Sequence, residues 1–214
     1  WRTKPFSLTS ISPRISRKSL EKIVGQATRC RDIIRGLLDF SRQRKPDKTL
    51  SNINTVMEQC LSFVENQALF LNINITKNFQ EDLPMMVLDA SQMERVIMNM
   101  IINAAEAMDG DGDLILTTRS IQHDSFVELE FRDTGPGISE DNIEKIFDPF
   151  FTTKDVGHGT GLGLAISFGV VKAHNGIISV DSEPGKGTTF IVRLPVKVTE
   201  EVPENGQPIQ SFSY

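Results

Sequence analysis

The sequence predicts an α+β fold in which helices cover one face of a largely antiparallel sheet. After residue 48, apolar residues recur at helical spacing in some segments, other segments alternate apolar and polar residues, and turn signals such as Asp109–Gly112 separate them. The 214 residues, 39% of them hydrophobic, are enough for one domain with an extension. No apolar run approaches the roughly 20 residues that would span a bilayer.

Residues 1–48 predict a helical region that pairs with another helix. From Leu20 to Ser41 the apolar positions step alternately by three and four, which is a heptad seam. A helix of this length is not stable alone, and the remaining sequence offers no second seam. Either a pairing helix lies upstream or the chain forms a homodimer. The expected dimer contacts are Leu20, Ile23, Ala27, Cys30, Ile34 and Leu37.

Residues 49–198 predict the α+β domain, and we expect residues 199–214 to be a disordered tail. The expected helices run from a cap near Asn52 to about Phe70, from Ser91 to about Met108, from Ser139 to Phe147 and from Gly161 to His174. The expected strands are Ile73–Phe79, Met85–Leu88, Leu114–Ile121, Phe126–Arg132, Ile177–Glu183 and Thr188–Pro195.

The net charge of −5 conceals an asymmetry. Residues 1–48 carry 13 basic and 4 acidic residues, whereas the rest of the chain carries 10 and 24. A basic arm can dock an acidic protein, nucleic acid or anionic lipid, or it can simply be a solvated helix face; we do not predict a nucleic-acid partner. Two cysteines, Cys30 and Cys60, make neither a disulfide framework nor a four-ligand zinc site, so we expect reduced core residues in a cytoplasmic protein.

Two stretches place polar groups where a ligand could use them. Asn99 and Asn103 are four apart in an apolar helix, so both amides project from one face and need partners in the protein or in a ligand. The stretch Asp133–Gly137, with glycines at its third and fifth positions, directly follows a strand. Its aspartate could accept a hydrogen bond from an amino group, although an ordinary Asx turn explains it equally well.

Two further stretches are rich in glycine. Gly157–Gly163 has four alternating glycines and leads into a helix, so its backbone amides predict an anion site. It is not a Walker loop, because no Lys-Ser/Thr pair follows the glycines. Gly185–Thr188 is typical of a hairpin turn and could be nothing more.

In this order and spacing the stretches resemble the Bergerat-type ATP-binding fold of sensor histidine kinases, gyrase-type topoisomerases, heat-shock chaperone ATPases and mismatch-repair ATPases. The resemblance covers about residues 50–196. The boxes of that fold are similar to Asn99–Asn103, Asp133–Gly137, Phe147–Phe151, Gly157–Gly163 and Gly185–Thr188. The Phe147 stretch with Thr152, Thr153 and Lys154, followed by the glycine lid, resembles the histidine-kinase branch in particular.

The resemblance implies ATP and Mg²⁺ as cofactors. It implies that Asn103 ligates the metal, that Asp133 accepts from the adenine amino group, that Thr188 helps to close the adenine pocket, and that Lys154 and the lid amides hold the phosphates. The implied catalytic residues are Asn99, Asn103 and Lys154. The implied nucleotide-binding residues are Asn103, Asp133, Gly135, Gly137, Phe147, Lys154, Gly157, Gly159, Thr160, Gly161, Leu162, Gly163 and Thr188.

Two departures from the family pattern qualify these roles. Where hydrolytic members place a glutamate that activates water, this sequence has Asn99, an amide with no basicity, so we expect slow hydrolysis and transfer to a presented acceptor. Glu106 and Ala107 stand where many kinases carry a lysine and an aromatic residue. Lys154 and Arg95 are the candidates to replace that phosphate contact.

The helix from Leu20 to Ser41 is similar to the second helix of the dimerisation and phosphoacceptor hairpin of histidine kinases. None of His123, His158 and His174 lies in an acceptor context, and in such positions a histidine is more often a surface residue. We therefore predict a dimeric histidine kinase region that passes phosphate to a response regulator, with its acceptor truncated, altered or supplied by another molecule. The alternatives are a nucleotide-gated scaffold without phosphotransfer and an ATPase of the topoisomerase or chaperone branch.

Overall fold

The computed structural model describes residues 23–27, 46–154 and 159–196. Most of the predicted seam and the predicted tail lie outside these residues. Residues 23–27 are helical, and Ile23 and Val24 are exposed. Contacts divide the chain into two compact units: a larger unit of Lys45–Glu144 with Ser167–Tyr214, and a smaller unit of Trp1–Arg44 with Lys145–Ile166.

The larger unit contains a five-stranded sheet of order β2-β4-β5-β7-β6. Neighbouring strands are antiparallel except for β2 and β4, which are parallel. A second sheet pairs β1 with β3 in antiparallel fashion. The strands are β1 Thr49–Ser51, β2 Asn72–Phe79, β3 Met86–Leu88, β4 Asp111–Ile121, β5 Phe126–Asp133, β6 Ile177–Glu183 and β7 Gly187–Pro195.

The helices are α1 Ile53–Val64, α2 Ala90–Ala107, α3 Glu140–Ile143 and α4 Gly163–Ala173, with a 3₁₀ turn at Ala68–Phe70. The two long helices of the larger unit begin at side-chain caps, because the oxygens of Asn52 and Asp89 accept from backbone N–H groups of the first turn. The α1 and α2 helices pack together, and α2 lies against β4 and β5. None of the described helices is long and apolar enough to cross a membrane.

Strand β5 shows how the alternating pattern builds the core. Val127, Leu129 and Phe131 are buried on the face that α2 covers. The residues between them, Glu128, Glu130 and Arg132, project to the opposite face of the sheet. The predicted fold class is therefore confirmed: a mixed, largely antiparallel sheet carries helices on one face.

The differences from the predicted elements are local. Strand β1 was not predicted, since three residues are too few to show a period and its stability depends on pairing with β3. The first long helix ends at Val64 rather than near Phe70. The last helix begins at Gly163 rather than Gly161, because Gly161 has a φ of +65°, which a right-handed helix excludes.

Candidate functional site

Asp133, the last residue of β5, is a buried carboxylate without a cationic partner among the described residues. It is 3% exposed, and its Oδ1 accepts from Gly135 N at 2.9 Å and from Thr188 N at 3.2 Å. Burial raises the pKa of the Asp133 carboxyl, and these two hydrogen bonds offset only part of the shift. In the described part of the chain, Oδ2 receives no hydrogen bond. The Asx turn is therefore present, and it leaves a second buried oxygen that can accept from a ligand.

Two glycines allow close contacts between the backbone of the loop after β5 and the backbone of the β6–β7 hairpin. A Cβ at Gly187, whose φ is +95°, would overlap the carbonyl oxygen of Asp133, and one at Gly137, with φ +73°, would overlap that of Glu183. The turn at Gly185–Thr188 is a hairpin turn, as predicted, but it also fits against the loop that follows β5. A side chain at Gly187 would push the turn away from Asp133.

The residues Asp133, Gly135, Gly137 and Thr188 thus form one cluster, which we call the acceptor cluster. The end of α2 reaches this cluster, since a Cβ at Gly135 would lie 3.4 Å from the carbonyl carbon of Ala107. Thr188 itself is 5% exposed. The sequence predicted all four residues, and the larger unit brings them together.

Ser182, which was not among the predicted site residues, joins the two segments of the acceptor cluster. Its Oγ accepts from Ile138 N at 2.8 Å, donates to the carbonyl oxygen of Gly187 at 2.9 Å and lies 3.0 Å from Thr188 Oγ1. The signal in the sequence is weak: Ser182 is a small polar residue near a turn, and its pairing with Thr188 across β6 and β7 becomes visible only with the register.

The two asparagines of α2 have different surroundings. Asn99 Nδ2 donates to Ser167 Oγ at 3.1 Å, and Ser167 is fully buried on α4. A structural hydrogen bond therefore accounts for at least part of the Asn99 side chain. Asn103, one turn later, is half-buried, and its side chain makes no hydrogen bond within the described residues. Its amide oxygen is the one that a ligand can use.

The smaller unit holds Phe147, Lys154, Gly159, Thr160, Gly161 and Leu162 and the first turn of α4 from Gly163, whereas Gly157 and His158 lie outside the described residues. Gly161 O accepts from Phe150 N at 2.9 Å, and a Cβ at Gly161 would overlap the Phe150 backbone. A Cβ at Gly159 would lie 2.7 Å from Thr152 Oγ1. The glycines therefore allow the loop to pack on itself.

Some amides of this loop already have acceptors. Leu162 N donates to Thr160 Oγ1 at 3.3 Å, and Lys154 N donates to Thr152 Oγ1 at 3.2 Å. Both bonds are long, so an anion that offered a charged oxygen could replace them at little cost. The helix that follows begins at Gly163, which puts its N-terminus directly after the loop.

Among the residues that the structure describes, the remaining titratable groups do not form a second reactive centre. Cys60 is buried, as predicted, and burial raises the pKa of its thiol to about 11. The expectation that the histidines are surface residues is wrong for His174, which is 4% exposed because it packs between α4 and the start of α2. Among the described residues, no group of three or more His, Cys, Asp or Glu side chains is placed to hold a metal ion.

Comparison with known proteins decides the family. The family model of histidine kinase-, DNA gyrase B- and HSP90-like ATPases matches residues 88–198. The nucleotide-free catalytic domain of histidine kinase ThkA is 31% identical, with a TM-score of 0.63, over 70% of this chain and 96% of that one. The chain belongs to the histidine kinase-like ATPase family. The predicted resemblance is confirmed.

Two further comparisons, one with a curated sequence and one with a solved structure, show what this histidine kinase-like ATPase is similar to. It is 37% identical over 188 residues to the sensor kinase CckA of Brucella abortus, which aligns 82% of this chain with 20% of that protein. A crystal structure of ThkA in complex with the response regulator protein TrrA matches at 26% identity, with a TM-score of 0.70, over 87% of this chain and 53% of that one. The chain spans 20 to 38% of the length of three such curated kinases.

Proposed function

We propose that this chain is the catalytic region of a protein histidine kinase, which transfers the γ-phosphate of ATP to a histidine, from which it passes to an aspartate of a response regulator. The observation that carries the proposal is Asp133, a buried carboxylate with one oxygen left for a ligand. A carboxylate oxygen suits the amino group of adenine. The family membership and the ThkA complex with a response regulator support the direction of transfer.

The residues divide into three roles. We assign recognition of the base to Asp133, Gly135, Gly137 and Thr188 and binding of the phosphates to Lys154 with the amides of residues 157–163, flanked by Phe147. Asn103 is the proposed ligand of Mg²⁺, because magnesium prefers oxygen ligands and the Asn103 amide makes no other hydrogen bond in the described residues. The metal would neutralise phosphate charge, which with positioning is the main requirement of phosphoryl transfer.

The surroundings of Asn99 favour transfer over hydrolysis. Asn99 is an amide bonded to the hydroxyl of Ser167, and neither group can take a proton from water at neutral pH. A phosphate acceptor must therefore be supplied as a nucleophile from elsewhere. His174 does not fill that role, because both of its ring nitrogens already make hydrogen bonds in the interior.

The organisation of the chain follows from the same proposal. Residues 1–48 would form the partial dimerisation region, residues 49–198 the catalytic domain and residues 199–214 the tail, in a cytoplasmic part of the parent protein. Dimerisation would use Leu20, Ile23, Ala27, Cys30, Ile34 and Leu37. The variant Ile34→Asp should then sediment as a monomer and still bind ATP.

Labelling with ATP tests the proposal. The chain alone should remain nearly unlabelled, whereas an added fragment with a histidine-bearing acceptor helix should acquire an acid-labile, base-stable phosphate. Asn103→Ala should abolish this transfer, and the control Asn66→Ala, at an exposed position, should not. Tight ATP binding without transfer to any acceptor helix would favour the nucleotide-gated scaffold instead. Rapid hydrolysis would favour an ATPase.

A further inference from the structure

Ser182 is the polar side chain that links both loops of the acceptor cluster. Ile138, whose N–H donates to Ser182, directly follows the loop after β5, and Gly187 and Thr188 are the first residues of β7, directly after the turn from β6. Three atoms within 3.0 Å of a single hydroxyl oxygen compete for one hydrogen and two lone pairs. The count of hydrogens therefore determines the direction of each bond.

The two backbone partners fix the direction of the hydrogen bonds that Ser182 makes. A carbonyl oxygen can only accept, so Ser182 donates its hydrogen to Gly187 O. A backbone N–H can only donate, so Ile138 N uses one lone pair of the serine. The remaining lone pair can take part in a hydrogen bond only if Thr188 supplies the hydrogen. Thr188 Oγ1 is therefore the donor to Ser182.

This direction leaves the Thr188 hydroxyl as an acceptor toward any ligand. Its backbone N–H is also occupied, by Asp133 Oδ1 at 3.2 Å. Asp133 Oδ2 is an acceptor as well, so both polar side chains of the acceptor cluster offer acceptors. Acceptors match the amino group at position 6 of adenine, whereas a 6-oxo purine such as guanine or hypoxanthine presents an oxygen that neither can bond.

We propose that Ser182 is a specificity-determining positioning residue, which selects 6-amino over 6-oxo purine nucleotides by holding the hydroxyl hydrogen of Thr188. The proposal rests on the assignment of Asp133 and Thr188 to base recognition under the proposed function. When the serine hydroxyl is removed, the Thr188 hydrogen is released and can turn toward a 6-oxo oxygen. The preference for ATP then falls because Thr188 no longer excludes the wrong base.

Competition binding on the full chain tests this step. ATP and inosine triphosphate, which differ in the 6-amino or 6-oxo group and in the hydrogen that N1 of the 6-oxo purine carries, displace a fluorescent ATP analogue from the wild type, Ser182→Ala, Ser182→Thr and Ser179→Ala. Ser182→Ala should narrow the ratio of the two affinities about tenfold, the size of one exchanged hydrogen bond in a buried site. Ser182→Thr keeps the hydroxyl and should restore the wild-type ratio. Ser179, half-buried on the same strand, makes no side-chain hydrogen bond within the described residues and is the matched control.

The outcomes separate this proposal from the function on which it rests. A wild type that does not bind ATP, or binds both nucleotides equally, contradicts the assignment of Asp133 itself. A wild type that selects ATP, with a Ser182→Ala variant that keeps the same ratio, overturns only the role of Ser182, even if both affinities fall. Should Ser182→Ala fail to fold, Ser182→Cys replaces it, since a thiol keeps the size but is a weak hydrogen-bond partner.

Discussion

Two carboxylates on strand β5 are almost equally buried but have different hydrogen-bond partners. Glu128 is 2% exposed and Asp133 is 3% exposed. They are an odd number of residues apart, so their side chains lie on opposite faces of the sheet. Arg119 Nε donates to Glu128 Oε1 at 2.8 Å and Arg193 Nε donates to Oε2 at 2.6 Å, whereas within the described ranges Asp133 receives only backbone N–H groups.

The pKa shifts of the two carboxyls have opposite directions. Burial opposes ionisation of Glu128, but the hydrogen bonds and charges of Arg193 and Arg119 outweigh it, so its pKa lies below the ordinary value. Burial outweighs the two backbone hydrogen bonds of Asp133, so its pKa lies above. A compensated carboxylate stabilises the sheet. An uncompensated one costs stability and is typical of a functional site.

The largest expected effect is the loss of ATP affinity in the Asp133→Asn variant. Removing the acceptor for the adenine amino group should weaken ATP binding about thirtyfold, or ~2 kcal/mol. Folding should be unchanged or slightly more stable, because the amide oxygen can still accept from Gly135 and Thr188 and no charge is buried. Titration with a fluorescent ATP analogue and urea unfolding measure the two quantities. Glu128→Gln is the control, and an equal loss of ATP binding there would remove the distinction between the two carboxylates.

The next effect is on stability, in Glu128→Gln. We expect the free energy of unfolding to fall by about 1 to 2 kcal/mol, the value of hydrogen bonds to charged groups. The loss should stay below the 3 to 5 kcal/mol of a fully buried pair, because the Arg119 and Arg193 side chains are 50% and 44% exposed and solvent screens them. Urea unfolding of both variants side by side provides the measurement. If Asp133→Asn lost more unfolding free energy than Glu128→Gln, Asp133 rather than Glu128 would be the stabilising carboxylate.

The difference between these carboxylates explains what the sequence could predict. Asp133 was predicted as a site residue because its local surroundings, a strand followed by glycines, are visible in the sequence. The role of Glu128 was not, because its partners come from strands β4 and β7, which pair with β5 only in the folded sheet. Ser182 was missed for the same reason. Interactions between distant segments depend on which strands pair, and the pattern within one segment does not show this.

The same distinction between local patterns and distant pairing decides which helices and strands could be predicted. The helix Ala90–Ala107 was predicted to within a residue because its 18 residues show five helical turns of apolar spacing. Strand Thr49–Ser51 was missed because its three residues have no period of their own. The glycine at Gly187 was predicted as a turn residue, but its contact with the Asp133 backbone could be seen only in the structure.

A third prediction concerns pH. As the pH falls, the contributions of the two carboxylates to the free energy of unfolding should change in opposite directions. The Glu128 contribution is fully present above its unfolded value near 4.5 and is lost as pH falls through its lower folded pKa. The Asp133 charge is a penalty that is present above its raised folded pKa and is relieved as pH falls. The stability difference between wild type and Glu128→Gln should therefore shrink on acidification, and any advantage of Asp133→Asn over wild type should also vanish. Chemical unfolding between pH 3 and 7 measures both. Parallel curves for wild type and both variants would show that neither group titrates differently on folding.

The smallest expected effect belongs to a third buried titratable group, His174, which is held neutral. Its Nδ1 donates to Val170 O at 2.9 Å, so its Nε2 is the acceptor for Asp89 N at 3.0 Å. Protonation would place a second hydrogen against the Asp89 N–H. Burial lowers the pKa of His174, and the charge of nearby Lys48 adds to this, whereas the Val170 hydrogen bond and the Asp89 carboxylate oppose it.

Because the pKa of His174 is lowered in the folded protein, folding favours the neutral form of its ring. Its contribution to stability is fully present above the unfolded value near 6.5 and is lost as pH falls toward the folded pKa. His174→Gln, whose side-chain oxygen can still accept from Asp89 N, should flatten the stability curve between pH 5 and 7 and should leave ATP binding intact. His123→Asn, in an exposed turn, is the control and should keep the wild-type slope. If His174→Gln also kept the slope, the histidine would gain its proton as easily in the folded as in the unfolded chain, and the hydrogen bond from Asp89 N would not hold it neutral.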